Sequence, residues 1–167
     1  EIGNLVFGFT YYEDITKPFL SANLNINDSG MNLIGSGTGP ITGNELVEID
    51  VIGPDNVEYN YSFRVYRVGD RINSGKIQNY NLGLISAEAL YDPQTRIKKS
   101  LTGFPGAIIE EVLATKDKLG IPFTSKSTSN VDPCLNQKKI LPRNLTPFAI
   151  CAKLQDQSIP TGKSGLG

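Results

Sequence analysis

The segment from Gly43 to Arg71, GNELVEIDVIGPDNVEYNYSFRVYRVGDR, alternates apolar and polar residues on both sides of a single turn. A period of two marks a strand with one buried and one solvated face. Val47, Ile49 and Val51 share one parity, and Glu48 and Asp50 share the other. Beyond Gly53-Pro54-Asp55-Asn56, whose residue types favour turn backbones, Tyr59, Tyr61, Phe63 and Val65 lie opposite Asn60, Ser62 and Arg64. The segment is predicted to be an antiparallel hairpin. Between Val65 and Val68 the apolar parity slips by one residue, which predicts a bulge.

The flanking sequence continues the pattern. Leu5, Phe7, Phe9 and Tyr11 predict a first strand with these four on one face. EDITKP then turns, and Leu20, Ala22, Leu24 and Ile26 alternate with Ser21, Asn23 and Asn25. Asp28 or Ser29 is placed to cap one helical turn carrying Met31, Leu33 and Ile34. GDRINSGK reads as a second hairpin connection, after which Tyr80, Leu82 and Leu84 form another strand. The 17 glycines and 10 prolines fit many turns between short strands. Residues 1–90 are therefore expected to form an antiparallel barrel or sandwich.

From Ser86 the period changes. Ser86 is predicted to cap a short helix ended by Asp92-Pro93. Ile108, Val112 and Leu119 sit at helical spacing within Phe104–Leu119, with Ile109 and Leu113 beside them. Thr102 is placed to cap this helix, and Gly120 with Pro122 to end it. A polar loop follows. Thr146 then caps a last helix with Pro147 at its first position, and Ile150, Cys151 and Leu154 form the buried stripe. Residues 91–167 read as the helical start of a second domain. The fold class is mainly β with α, an α+β chain.

The chain contains no histidine. That removes Ser-His-Asp and Cys-His catalysis, histidine-ligated zinc and histidine proton shuttling together. Sixteen basic and seventeen acidic residues leave a net charge of -1, which gives no global attraction to nucleic acid or anionic lipid. No apolar run approaches the ~20 residues of a membrane span.

The remaining motifs point to structure. Glu48 with Asp50, and Glu13 with Asp14, are acid pairs that are expected to be solvated, or set across a strand from a cation such as Arg64. NINDSG lacks the acid spacing of a calcium loop. Gly162-Lys163-Ser164 resembles the end of a phosphate-binding loop, but Gln157 stands where the first glycine belongs. GSGTGP at 35–40 is expected to be a surface loop. Tyr59, Tyr61 and Tyr66, interleaved with Arg64, Arg67 and Arg71, could stack single-stranded nucleic acid, but the tyrosines follow the apolar parity and are expected to pack. Cys134 and Cys151 are expected to be reduced, the first exposed and the second buried. No catalytic, cofactor-binding or metal residue is assigned, and no enzymatic activity is expected. An edge-rich β unit of mixed charge remains, and such a unit covers its edges by pairing with copies of itself. Glu1 opens the chain without a methionine, and a Gly/Ser-rich stretch closes it, so a longer parent protein is expected.

The order of five segments carries a specific likeness. They are ITGNELVEIDVIGP, FRVYRVGDR, YNLGLISAEAL, LTGFPGAIIEEVLATKDKLGI and LPRNLTPFAICAKLQDQSI. Within them stand Gly43-Asn44-Glu45, Phe63 to Arg71, Ser86-Ala87-Glu88, Ser100 to Gly120, and Leu141-Pro142 to Phe148. In this order and spacing the chain resembles the central baseplate hub proteins of T-even-type contractile-tailed bacteriophages and their cyanophage and marine relatives. The likeness spans residues ~5–165 and departs from the family at Leu141–Phe148, where a tryptophan is common. It implies a tail-tube-like barrel followed by the start of a second one. It also implies a homotrimer whose tandem barrels form a pseudo-hexameric ring between the tail tube and the central spike. The implied setting is the virion, with the spike, tube and adjacent baseplate proteins as partners, and no catalytic residue is implied. The exposed acids and tyrosines also fit an alternative, a carbohydrate-binding module or a glycan-cleaving tail enzyme.

Overall fold

The computed structural model describes residues 2–34, 40–113 and 133–161. The chain divides into two compact units, Glu1–Ala87 and Glu88–Gly167. It is mainly antiparallel β with a few helices, an α+β protein.

The first unit is one five-stranded sheet. Its strands are β1 (Val6–Tyr12), β2 (Ser21–Asp28), β3 (Leu46–Ile52), β4 (Glu58–Ser74) and β5 (Ile77–Ile85), in the order β1-β2-β5-β4-β3. The alternation fixes which face is buried. Ala22, Leu24 and Ile26 of β2, Phe63 and Val65 of β4, and Tyr80, Leu82 and Leu84 of β5 form the core. The positions between them face the other way, because neighbouring side chains of a strand point to opposite sides.

The sheet is curled. Although β1 and β4 are separated by two strands, Tyr11 and Tyr61 place their rings 5.3 Å apart. Phe9 stacks on Tyr11, and Phe63 on Tyr61, so four aromatic rings bridge the concave side. The bridge is reached by an arm. β3 pairs with Glu58–Arg64 of β4, whereas β5 pairs with β4 only from Arg64 onward. The β3–β4 hairpin thus extends past the other strands as a two-stranded ribbon and brings Tyr61 to Tyr11.

Two expectations for this unit need correction. First, Phe7 does not share the core face with Phe9. A register shift between Val6 and Gly8 moves Phe7 out, where it is 65% exposed, and Val6 packs on the core instead. Second, GDRINSGK is mostly strand. β4 runs to Ser74, two register shifts absorb the parity slips, and only Gly75 and Lys76 turn. The shift between Val65 and Arg67 is the predicted bulge. The second shift, between Gly69 and Ile72, accompanies Asp70 at φ 53°. The strands form a half-barrel. Among the described residues β1 and β3 remain edges, each bonded to one neighbour.

The second unit opens with α1 (Ala87–Tyr91), and a 3-10 turn at Asp92–Gln94 follows it. Ser86 precedes α1, but its hydroxyl accepts from the Leu20 N–H at 3.1 Å. Next come β6 (Leu101–Gly103), α2 (Pro105–Leu113), β7 (Cys134–Leu135), β8 (Lys138–Ile140), α3 (Pro147–Gln155) and β9 (Ile159–Pro160). β6 pairs with β8, and β7 with β9. Ile97, Leu101, Ile108, Val112, Ile140, Ile150 and Leu154 form one core, with Ile109, Leu145 and Cys151 against it. Thr146 caps α3 by accepting the Ala149 N–H, and Pro147 fills its first position, where an N–H would go unused. Thr102 does not cap α2. It lies in β6 opposite Lys139, and Pro105 starts the helix. The predicted helical residues 114–119, and their Gly120 and Pro122 terminator, lie outside the described residues.

Candidate assembly surface

The acids of the arm are where the alternation puts them. Glu48 stands opposite Ser62 and Asp50 opposite Asn60, both on the solvated side of the ribbon. Arg64 does not face either acid. It pairs with Leu46, and its Nη1 donates to the Asn44 carbonyl at 3.0 Å. Glu13 is exposed, and Asp14 is occupied locally. The Asp14 Oδ1 accepts from the Thr16 N–H at 2.9 Å and from its hydroxyl at 2.6 Å, while Oδ2 meets Lys17 at 3.5 Å. These carboxylates therefore do not converge.

Two other carboxylates hold loops. Asp28 ends β2 and is 1% exposed. Its Oδ1 accepts from the N–H groups of Gly30, Met31 and Asn32, and its Oδ2 accepts from Leu33. Burial alone would push this carboxyl up, but the four N–H donors outweigh it and hold it below its ordinary range. Of the two caps the sequence offered, Asp28 or Ser29, Asp28 takes the role, and it gathers a turn. Glu45 does the same at the start of the arm. Burial opposes its charge, yet donors from Thr42 and Gly43 lower its pKa. With their lone pairs filled from the backbone, neither carboxylate is poised to bind a cation. Among the described residues, no three histidine, cysteine, aspartate or glutamate side chains are grouped to hold a metal ion.

The tyrosines and arginines separate. Tyr61 joins the aromatic bridge, and burial, followed by its hydrogen bond with Tyr11, raises its pKa. Tyr66 is 52% exposed and lies over Gly83 on the convex side. Arg67 lies along Gly69 on that same side, whereas Arg71 donates to Gln78 at 3.0 Å. The set is not one continuous stacking surface.

In the second unit both cysteines are half-buried. Cys134 is thus less exposed than expected, because β7 pairs with β9. Burial, then the charge of Asp92, pushes the Cys151 thiol up to about 12. A cleft of about 540 Å³ is lined by Phe104, Ala107, Glu110, Cys134, Leu135 and Thr161. The glycines of GSGTGP and the triplet Gly162-Lys163-Ser164 lie outside the described residues.

What the geometry does bring together is two unlike edges. β1 carries no charge and exposes Phe7, Tyr11 and Tyr12. β3 alternates Glu48 and Asp50 with Val47, Ile49 and Val51, and exposes Leu46 and Ile52 at its ends. Each edge presents a row of backbone groups on its outer side, which is a template for another strand. No family model matches the chain, and neither does any curated protein.

Proposed function

We propose that the chain is a structural subunit of a ring, the hub of a contractile phage-tail baseplate, in which copies pair edge to edge. The observation that carries this reading is the pair of unlike open edges on one curled sheet. Two β3 edges laid antiparallel would bring Glu48 and Asp50 of one copy against those of the other, and like charges across strands repel. Acidic β3 against uncharged β1 has no such cost. Head-to-tail pairing of two different edges generates closed rings when the rotation per copy permits. The ordered motifs from Gly43 to Phe148 support the hub assignment within that class. In this reading the first unit is a tail-tube-like barrel completed by its neighbours, and the second unit begins another. A homotrimer then gives a pseudo-hexameric ring between the tail tube and the central spike, in the virion, with adjacent baseplate proteins around it. This role needs no catalytic centre, cofactor or metal.

Mass photometry of the protein tests the reading. Trimers or larger rings are expected, together with their loss in a Phe7→Lys/Tyr12→Lys variant, since lysine on an edge blocks strand addition. Monomers alone, or rings indifferent to both lysines, would overturn it.

A further inference from the structure

The convex face of the first sheet carries rows of amides on β2 and β5, bordered on β4 by Tyr66 and Arg67, and the edge-pairing role does not use it. In β2, Asn23, Asn25 and Asn27 occupy the parity opposite the core residues Ala22, Leu24 and Ile26. In β5, Asn79, Asn81 and Gly83 occupy the same side. The register joins the two rows, with Asn27 opposite Asn79, Asn25 opposite Asn81, and Asn23 opposite Gly83. Asn81 Nδ2 donates to Asn25 Oδ1 at 2.7 Å. β1, β2 and β5 place no charged side chain on this face: Asp28, the one charged residue among their members, is buried on the other.

Glycines keep the platform flat. Gly83 lies under Tyr66, where a Cβ would meet the ring at 3.0 Å. Gly69 lies beside the Arg67 guanidinium, and Gly8 lies against the Asn25 amide. Tyr66 is therefore laid down across β5 with its other ring face open, being 52% exposed. On the far side of the amide rows Asn23 Nδ2 donates to the Tyr12 hydroxyl at 3.4 Å, and Tyr12 is 53% exposed. β1 and β4 stand three strand spacings apart, roughly 14 Å, which is long enough for an oligosaccharide and too long for one sugar.

We infer that this face binds a neutral oligosaccharide. A pyranose presents a flat C–H face with hydroxyls around its rim. The C–H face matches an open, fixed tyrosine ring. The hydroxyls match carboxamides, which carry N–H donors and an oxygen acceptor in one plane, although the Asn81 oxygen is buried and is not among the groups offered. A neutral polyol suits amide rows without carboxylates, whereas an apolar partner would leave those amides unpaired.

The test is NMR of the isotope-labelled chain titrated with neutral gluco-, galacto-, manno- and N-acetylglucosamine oligosaccharides of two to six sugars, with heparin and monosaccharides in parallel. The expected result is movement of the side-chain amide signals of Asn23, Asn25, Asn79 and Asn81 by one series, at Kd values of about 1 mM or tighter. Longer members should bind more tightly than monosaccharides. Tyr66→Ala should weaken binding about fivefold or more, and Glu48→Gln, on the arm, should leave it unchanged. The wild-type amide signals carry the result even if Tyr66→Ala folds poorly. Silence of those signals to every neutral series, or movement with heparin alone, overturns the inference. So does binding that leaves these amides still and shifts another surface.

Discussion

The Phe148 N–H donates to Asp92 Oδ1 at 2.8 Å, joining the 3-10 turn at Asp92–Gln94 to the first turn of α3. Phe148 follows Pro147, so its N–H is one of those that a helix leaves without an internal partner. A carboxylate there also meets the positive end of the helix dipole. Asp92→Ala should destabilise the second unit by about 1–2 kcal/mol, with Asp92→Asn costing less because its amide oxygen still accepts. Hydrogen exchange should localise the loss to α3. Uniform exchange across α3 in both variants would show that the Thr146 cap suffices alone.

The same carboxylate faces the neighbouring thiol. Burial and Asp92 together keep Cys151 protonated up to about pH 12. At pH 8 iodoacetamide should therefore modify Cys134 well before Cys151, since the thiolate is the reactive form. In Asp92→Ala the Cys151 thiol should titrate lower and react sooner. Peptide mass spectrometry of a timed alkylation reads both thiols, and equal rates in the native protein would contradict the assignment.

Asp28 sets the acid limit of the first unit. Its folded pKa is depressed by backbone donors, so its stabilising effect is complete above its unfolded value near 3.8 and disappears as pH falls through the folded one. Unfolding by urea should show a loss of stability beginning below about pH 5. Asp28→Asn should remove that pH dependence and cost about 1–3 kcal/mol at neutral pH, because an amide nitrogen would face backbone donors. Tyr80, buried on the same side, is pushed up to about 12, by burial first and then by the Asp28 charge. Tyr80 ionisation, followed by ultraviolet absorbance, should therefore trail that of the exposed tyrosines and fall lower in Asp28→Asn.

The sequence displayed the strands and hid the curl of the sheet. Alternation identified the core of β2, β4 and β5, because each strand buries one face and a period of two is local information. The Val65–Val68 slip was legible for the same reason. Phe7 was misplaced because the bulge at its position changes parity without any local signal: Val6 and Phe7 are both apolar, and only pairing with β2 decides which faces inward. Thr102 was taken for a cap because it precedes a helix, but its partner Lys139 lies 37 residues away. The amide rows were visible as the wet side of β2. Their alignment with Asn79 and Asn81 depends on the β2–β5 register, which no single segment contains. The tyrosine bridge likewise needs the arm to fold back.

That bridge leads to the last prediction. Tyr11 and Tyr61 sit 5.3 Å apart, at an angle of 34°. Offset aromatic pairs contribute about 0.5–1.5 kcal/mol beyond the area they bury. Among the described residues the arm has no strand beyond β3 and, before Arg64, no pairing with β5, so this contact, together with Val47 and Ile49 packed on the core, ties it to the rest of the sheet. Tyr61→Ala should therefore free the arm without unfolding the core built on Leu24, Leu82 and Leu84. Amide exchange should accelerate in Leu46–Ile52 by about tenfold, corresponding to ~1.4 kcal/mol, while β2 and β5 stay protected. Tyr11→Ala should give the same pattern from the other side, and the double variant should add little, as expected for two residues acting through one contact. Additive effects of the two changes, or faster exchange in β2 and β5, would mean that the rings support the core rather than the arm.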